Sequence, residues 1–257
     1  MKKTIVVFLT LAMALCLCSC GKSKDVKAAE DAISAIGTVT LDSAEAIEYA
    51  EKLYNILTDS EKSDVSNRIT LVEARESFDR LRKEQIYHNA KTAYDKLNEA
   101  ASICIKGMDD IYGAWYFGIY KADDCTTLNL YTKFAAETPH FSSSQLELAA
   151  KALNLNTYTV KSDWQYCLDV VEIAILADGS YDKLDFLLAD ARSVLQELTE
   201  TYGDYEYYPK LKDLYSKVSS YAEFFKSPSG SFKQLADTIN DYENTIRTYQ
   251  TDIGFLF

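Results

Sequence analysis

The chain has 257 residues and carries 39 acidic and 27 basic side chains, which gives a net charge of −12 at pH 7. This acidity argues against nucleic acid as a partner, because a surface that binds phosphates presents clustered Lys and Arg. With only nine glycines and three prolines, the composition is typical of helices and argues against a β-sandwich or barrel. The length is sufficient for one or two domains with a substantial core.

The N-terminus has the layout of a secretory signal peptide. Lys2 and Lys3 precede "TIVVFLTLAMALCLCS", a stretch of 16 residues that contains no charge. A membrane-spanning helix needs about 20 apolar residues, so this pattern predicts a signal that is removed in the mature protein.

The stretch ends with "LCSC", residues 17–20, which resembles the lipobox of bacterial lipoproteins. The resemblance implies that residues 1–19 are the signal peptide and that the sulfur of Cys20 carries a diacylglyceryl group. Cys16 and Cys18 would then leave with the signal, so no thiolate would be left there to bind a metal. Two acyl chains anchor a protein stably, whereas a single chain binds only marginally.

The predicted location is the extracytoplasmic face of the bacterial cell membrane. Loss of the two lysines of the signal leaves 25 basic against 39 acidic residues, a net charge of −14. Anionic headgroups repel such a body, whereas Lys22, Lys24 and Lys27 favour attachment beside the anchor. We predict that residues 20–27 form a lipidated tether.

The sequence after the tether predicts short helices with marked ends. A helix over 25–37 closes on Gly37, which suits the position after a helix C-terminus. A second helix over 40–57 has Asp42 followed three residues later by Glu45, the spacing of a capping box.

Two further elements follow. Thr58 and Glu61 repeat the capping-box spacing at the start of a single-turn helix over 58–67. A helix over 69–81 has one apolar stripe, which consists of Leu71, Ala74, Phe78 and Leu81. The segment "RKEQI", 82–86, interrupts the phase of this stripe, so a break is expected there.

The stretch "AISAIGTVTLDSAEAIEYAEKLYNILTDSEKSDVSNRITLVEA" resembles a helical-hairpin module of cell-surface proteins and lipoproteins of Firmicutes. The positions that carry the resemblance are Ala32-Ile33, Ala35-Ile36-Gly37, Val39-Thr40-Leu41, Ala46-Ile47, Tyr54, Leu57-Thr58, Glu61-Lys62, Val65, Asn67 and Thr70-Leu71. The resemblance implies a helical-hairpin module over 28–87 that acts as a spacer or interaction unit outside the membrane. It implies no catalysis.

Residues 88–257 are predicted to form a helical bundle. Two long seams have apolar residues at alternating spacings of three and four, which is typical of helices packed side by side. The first seam consists of Ala90, Tyr94, Leu97, Ala101, Cys104, Met108, Ile111 and Trp115. The second consists of Phe232, Leu235, Ile239, Tyr242, Ile246, Tyr249 and Ile253. Their equal length makes them natural packing partners.

Between the seams, helices are predicted at 126–138, 144–154, 163–178, 181–202 and 209–226. Their ends are marked by the capping boxes Ser144/Glu147 and Ser231/Gln234, by Gly179 and Gly203, and by Pro209. The only strand-like alternation is "NTYTVK", 156–161, which is too short to organise a sheet. The predicted fold is therefore all-α, an N-terminal helical-hairpin module followed by an antiparallel multi-helix bundle. This excludes the two-lobed α/β solute-binding lipoproteins.

Three cysteines remain after lipidation: Cys104, Cys125 and Cys167. We interpret them as small buried hydrophobic residues. One disulfide among them is the alternative.

The first candidate binding site is the stretch "IYGAWYFGIYKADD", 111–124. Glycines interrupt the predicted helix here, and each costs about 1 kcal/mol relative to alanine. Either they open an aromatic groove for a peptide or glycan, or they admit a neighbouring helix while the aromatic rings fill the core. The groove would be lined by Trp115, Tyr116, Phe117 and Tyr120.

The second candidate is the tyrosine-rich connection "YGDYEYY", 202–208. Exposed tyrosines give a large contact area at low entropic cost, so Tyr205 and Tyr207 are candidates for ligand binding. The alternative is that these rings only close one end of the bundle.

Catalytic motifs are scarce. His88 and His140 lie in no metal-ligand spacing, and the serines after His140 suit a helix N-cap better than a nucleophile. We therefore predict no metal site, no cofactor and no enzymatic activity. The leading hypothesis is a non-catalytic interaction or scaffold module at the cell envelope, anchored by lipid on Cys20, with a protein or cell-wall partner. A small-ligand, peptide or glycan binder is the alternative, and a cell-envelope hydrolase is less favoured.

Overall fold

The computed structural model describes residues 22–121, 135–152, 164–203, 205 and 207–257. These ranges are all-α and contain no β-strand, which confirms the predicted fold class. They form two compact units, divided between Gln85 and Ile86. Cys125, the strand-like segment 156–161 and most of the predicted helix 126–138 lie outside the described residues; the end of that helix, 135–137, is helical.

The first unit is built from short helices around its own core. They are α1 (Lys24–Ala35), a 3-10 turn (Leu41–Ser43), α2 (Ala44–Asn55), α3 (Asp59–Asp64) and the beginning of α4 (Arg68–Tyr120). Their buried side chains are Val26, Ala29, Ile33, Ile36, Ile47, Ala50, Leu57, Val65, Leu71, Ala74 and Phe78. Three of the four stripe residues predicted over 69–81 are thus in this core, and Leu81 is half-buried.

The helix ends of this unit test the capping predictions. Gly37 has φ +62°, as expected for a glycine that closes a helix. Thr58 and Glu61 form the predicted capping box. The predicted box of Asp42 and Glu45 is wrong, because Thr40 and Ser43 cap each other two residues earlier and Asp42 lies inside the resulting 3-10 turn.

The break predicted at 82–86 is also wrong, since α4 continues without interruption through these residues. No residue between Phe78 and Ala90 is buried. Residues of high helix propensity such as Arg, Lys, Glu and Gln sustain a helix without an apolar face. The loss of phase in the stripe therefore marks the interval between two cores along one helix, not a helix end.

The second unit contains the rest of α4 and five further helices. These are α5 (Ser143–Ala152), α6 (Trp164–Asp178), α7 (Ser180–Tyr202), α8 (Tyr208–Lys226) and α9 (Phe232–Gly254). Ser231 and Gln234 form the predicted capping box of α9. For α5 the predicted pair Ser144/Glu147 is wrong, because Ser142 and Gln145 take these roles.

The two long seams pack against each other in antiparallel order. Every one of their residues is buried or half-buried in the second core. At one end the Tyr94 hydroxyl donates to the Gln250 carbonyl oxygen at 2.8 Å. At the other end the rings of Tyr112 and Phe232 stack with centroids 4.9 Å apart. The prediction that these seams are packing partners is confirmed.

Two glycines of α4 allow unusually close neighbours. A Cβ on Gly107 would lie 2.2 Å from the ring of Phe225. A Cβ on Gly113 would lie 1.6 Å from the carbonyl oxygen of Glu137. The glycines are therefore explained by close approach of neighbours, which was one of the two interpretations of this stretch.

The substitution Gly113→Ala should destabilise the protein by about 1 to 3 kcal/mol or more, because the new methyl group overlaps backbone atoms that cannot rotate away. Gly254→Ala is the matched control, since its Cβ would meet only the Tyr94 hydroxyl at 3.4 Å. The control should be neutral or stabilising by up to about 1 kcal/mol. Urea unfolding of both variants measures the difference, and equal stabilities would contradict the close approach.

Candidate functional site

The four aromatic residues predicted to line one groove do not share a surface. Trp115 and Phe117 are buried in the core, Tyr116 is half-buried and Tyr120 is 63% exposed. Successive residues of a helix point about 100° apart, so neighbours such as these cannot all face one side. The groove is therefore not formed as predicted.

Tyr116 and Tyr120 belong instead to a ring cluster at the start of α9. Their centroids are 5.2 Å apart, and the Tyr120 ring lies 5.9 Å from that of Phe232 in an edge-to-face arrangement. The Lys121 ammonium lies 5.1 Å from the centroid of Tyr116. These contacts fasten the end of α4 to α9, and Tyr120 is the member most available to solvent.

Trp115 faces a different feature, a cavity of about 370 Å³ at the edge of the second core. Helices α4, α6 and α7 meet there with the end of α8 and the loop after it. The lining residues are Ile111, Trp115, Leu168, Glu172, Tyr181, Lys226, Ser227, Pro228, Ser229 and Gly230. The volume lies within the range of small-molecule sites in proteins, about 300 to 1,000 Å³.

The charges around this cavity are unevenly compensated. The Lys226 ammonium forms an ion pair with Asp185. Glu172 is exposed and forms no ion pair with a residue in the described ranges. Burial raises the pKa of Tyr181 to about 12, and the negative charges of Glu172 and Asp178 add to the shift. The wall is thus negative near the Tyr181 hydroxyl.

The tyrosines of the 202–208 connection face inward. Tyr205 is buried, and its ring packs edge-on against Tyr208 at 5.5 Å. Burial raises the pKa of Tyr205 well above its usual range. Tyr207 is half-buried, with its ring 5.3 Å from that of Phe257. Both residues close an end of the bundle, which agrees with the alternative that these rings have a packing role.

Buried Asp110 is a feature that the sequence did not single out. The residue is 1% exposed. One carboxylate oxygen accepts the backbone N–H of His140 at 3.1 Å, and the other has no hydrogen-bond partner within the described residues. Burial is the main cause that raises the pKa of Asp110 to about 6. The only signal in the sequence is the pair "DD" among many acids, which identifies no particular carboxylate.

His140 does not form the base of a serine nucleophile. Its Nε2 lies 3.4 Å from a carboxylate oxygen of Asp109. The hydroxyls of Ser142 and Ser144 lie 3.0 Å apart, and Ser142 caps α5 through Gln145. The serines are used to begin a helix, which was the favoured interpretation of this segment.

Two cysteines of the second unit lie in its core. Cys104 and Cys167 are both buried, in agreement with their interpretation as small hydrophobic residues. Burial raises the pKa of the Cys104 thiol to about 12. A thiol so rarely ionised is a poor nucleophile and a poor metal ligand.

Comparisons of this chain with protein-family models, with curated proteins and with solved structures found no match. Within the described ranges, no three side chains of His, Cys, Asp or Glu converge in a way that could hold a metal ion. No helix in the same ranges combines the length and the apolarity needed to cross a membrane.

The raised pKa of Asp110 makes stability depend on pH. Because the folded protein holds the proton more tightly than the unfolded chain, stability should fall as pH rises from about 4 to about 6 and stay low above that range. Asp110→Asn removes the buried charge and should raise stability at pH 8 by about 1 to 3 kcal/mol.

Thermal unfolding of this variant and of the wild type between pH 4 and pH 8 measures the effect. Asp213→Asn is the control, because Asp213 is exposed on α8 and its loss should leave the slope unchanged. An Asp110→Asn variant that is less stable than the wild type at pH 8 would show that the carboxylate is favourably held.

Proposed function

We propose that this chain is a lipid-anchored extracytoplasmic protein that acts as a non-catalytic interaction or scaffold module at the cell envelope. The lipid is on Cys20, and residues 1–19 are a signal peptide. The observation that supports the proposal is that Lys22 and Ser23, which follow Cys20 closely in the sequence, make contacts within the first unit. A lipid on Cys20 would therefore hold that unit directly at the membrane surface.

The contacts that support this lie at Lys22 and Ser23. The Lys22 ammonium forms an ion pair with Glu30 and donates to the Ser66 hydroxyl at 3.2 Å. The Ser23 hydroxyl donates to Glu61 at 3.0 Å and also caps α1 by accepting from the Val26 amide. We call these contacts the N-terminal clamp.

The clamp leaves little chain between the unit and a lipid. The predicted tether 20–27 includes the first turn of α1, which begins at Lys24. From Cys20 to Lys22 a fully extended chain spans at most about 7 Å. The anchored unit would thus lie within one or two residue lengths of the headgroups.

The clamp persists over the physiological pH range. The Lys22 ammonium, together with hydrogen bonds from Ser66, lowers the pKa of Glu30 to about 2. A carboxyl with a lowered pKa contributes its stabilisation above the ordinary value and loses it as pH falls toward the folded value. The stabilisation that this contact contributes is therefore lost only as pH falls from about 4.5 to about 2.

Exposed apolar side chains give the first unit a surface for a partner. Ile56 and Ile69 are 69% and 71% exposed, and Tyr49 is also largely exposed. Large apolar groups in water contribute to association when a partner covers them. We propose that these residues contact a protein or cell-wall partner near the membrane.

The anchor is tested by Cys20→Ala. This variant should lose incorporation of labelled palmitate and leave the membrane fraction, because it lacks the two acyl chains that give stable attachment. Cys16→Ala is the matched control, since Cys16 lies inside the proposed signal and should not affect either measurement. A Cys20→Ala protein that remains as firmly bound to membranes as the wild type would refute the anchor.

The interaction is tested by chemical crosslinking in intact envelopes. The wild type should capture a partner, and Ile56→Asp together with Ile69→Asp should reduce the capture at least several-fold. Both side chains are exposed, so the free energy of unfolding should change by no more than about 0.5 kcal/mol for each. Asn55→Asp, an exposed neighbour, is the control. No captured partner, combined with measurable turnover of a substrate, would contradict the proposal.

A second candidate function is small-ligand binding, and the cavity at Trp115 favours it. The cavity has the volume of a small-molecule site, and an aromatic side chain that the sequence pointed to forms part of its wall. Saturable binding of a small molecule at this cavity supports the candidate.

A further inference from the structure

We infer that the cavity at Trp115 binds a small organic cation, an ammonium group joined to an apolar body. The inference rests on the second candidate function and adds the chemical class of the ligand. Three features of the wall carry it: an aromatic and aliphatic floor, an uncompensated carboxylate, and the C-terminal end of a helix.

The floor of the cavity is apolar and rigid. Ile111 and Trp115 project from α4 at positions i and i+4 and are almost wholly buried. The ring of Tyr181 is held against that of Phe225, with centroids 5.1 Å apart. A floor fixed in this way needs little ordering when a ligand arrives, which favours affinity. The rings of Trp115 and Tyr181 also attract a cation through their π-electrons.

The charges of the cavity wall favour a positively charged ligand. The ammonium of Lys226, the one cationic side chain among the described residues that line the cavity, is paired with Asp185. Glu172 has no such partner in the described ranges. Within the described ranges, the hydrogen-bond donors to Asp178, whose charge also acts on Tyr181, are the neutral Gln145 amide and the Ser180 N–H. An anion would meet the Glu172 carboxylate in the wall and the negative charge of Asp178 nearby, whereas a cation would be attracted by both.

The backbone around the cavity also favours a cationic ligand. Helix α8 ends at Lys226, and the last carbonyl groups of a helix carry a partial negative charge. The loop after it is fixed on both sides, because the Ser227 N–H donates to the Glu223 carbonyl at 3.2 Å and Ser231 caps α9. Carbonyl oxygens held at a helix end are suitable acceptors for the N–H groups of an ammonium ion.

Three probes with one carbon skeleton separate charge from shape: phenethylammonium, 2-phenylethanol and phenylacetate. Each is titrated into the mature protein at pH 7 and low salt by isothermal titration calorimetry. Phenethylammonium should bind about tenfold more tightly than 2-phenylethanol, and its advantage should shrink as salt screens the carboxylates. Phenylacetate should bind most weakly.

Substitution of Glu172 tests whether its carboxylate causes the preference for a cation. Glu172→Gln should weaken phenethylammonium binding several-fold and leave 2-phenylethanol unchanged, and Glu172→Lys should weaken phenethylammonium further. Glu172 is exposed, and Gln and Lys are good helix formers, so both variants should fold. Glu197→Gln, an exposed glutamate of α7 outside the cavity wall, is the control and should change nothing.

The outcomes distinguish the inference from the function on which it rests. Equal affinity for phenethylammonium and 2-phenylethanol would overturn the preference for a cation and leave ligand binding intact. Tighter binding of phenylacetate, or a Glu172→Gln variant that binds phenethylammonium like the wild type, would also overturn it. If no probe shows saturable binding up to millimolar concentration, both the inference and the ligand-binding function fail.

Discussion

The structure depends on the burial of the apolar stripes along α4. This one helix supplies Leu71, Ala74 and Phe78 to the first core, and after eleven residues without a buried side chain it supplies the seam that begins at Ala90 to the second core. Each large aliphatic side chain removed from water contributes about 1.5 to 3 kcal/mol. The two stripes fix the rotation of α4 in each unit, and in the second unit that rotation places Ile111 and Trp115 at the cavity.

Within the second unit, the same packing makes the cavity. Glycines at 107 and 113 let Phe225 and the Glu137 backbone approach α4 closely. One helical turn beyond Ile111, Trp115 is part of the cavity wall, to which α6, α7 and the loop after α8 also contribute. A tightly packed stretch of helix is therefore followed directly by a space large enough for a small molecule, and the aromatic floor of that space is held by the core beneath it.

The sequence predicts the helices and seams well because they depend on periodicity, which is a local property of the chain. Prediction from sequence fails where several residues could cap the same helix, or where a feature depends on segments that are distant in the sequence. Two capping boxes were assigned to the wrong partners, since Asp42 and Ser144 each have another good capping residue two positions earlier. The cavity and the buried Asp110 depend on which helices converge, and in a chain with 39 acids no pattern marks the one that is buried.

The N-terminal clamp also determines how the first unit would respond to mechanical load. A force applied through the N-terminus reaches Lys22 and Ser23 and passes at once to Glu30 on α1 and to Glu61 on α3. Since these two acceptors lie on separate helices, contacts to both must break before Lys22 and Ser23 are pulled from the unit. Tension on the terminus would therefore be opposed by two helices and not by α1 alone.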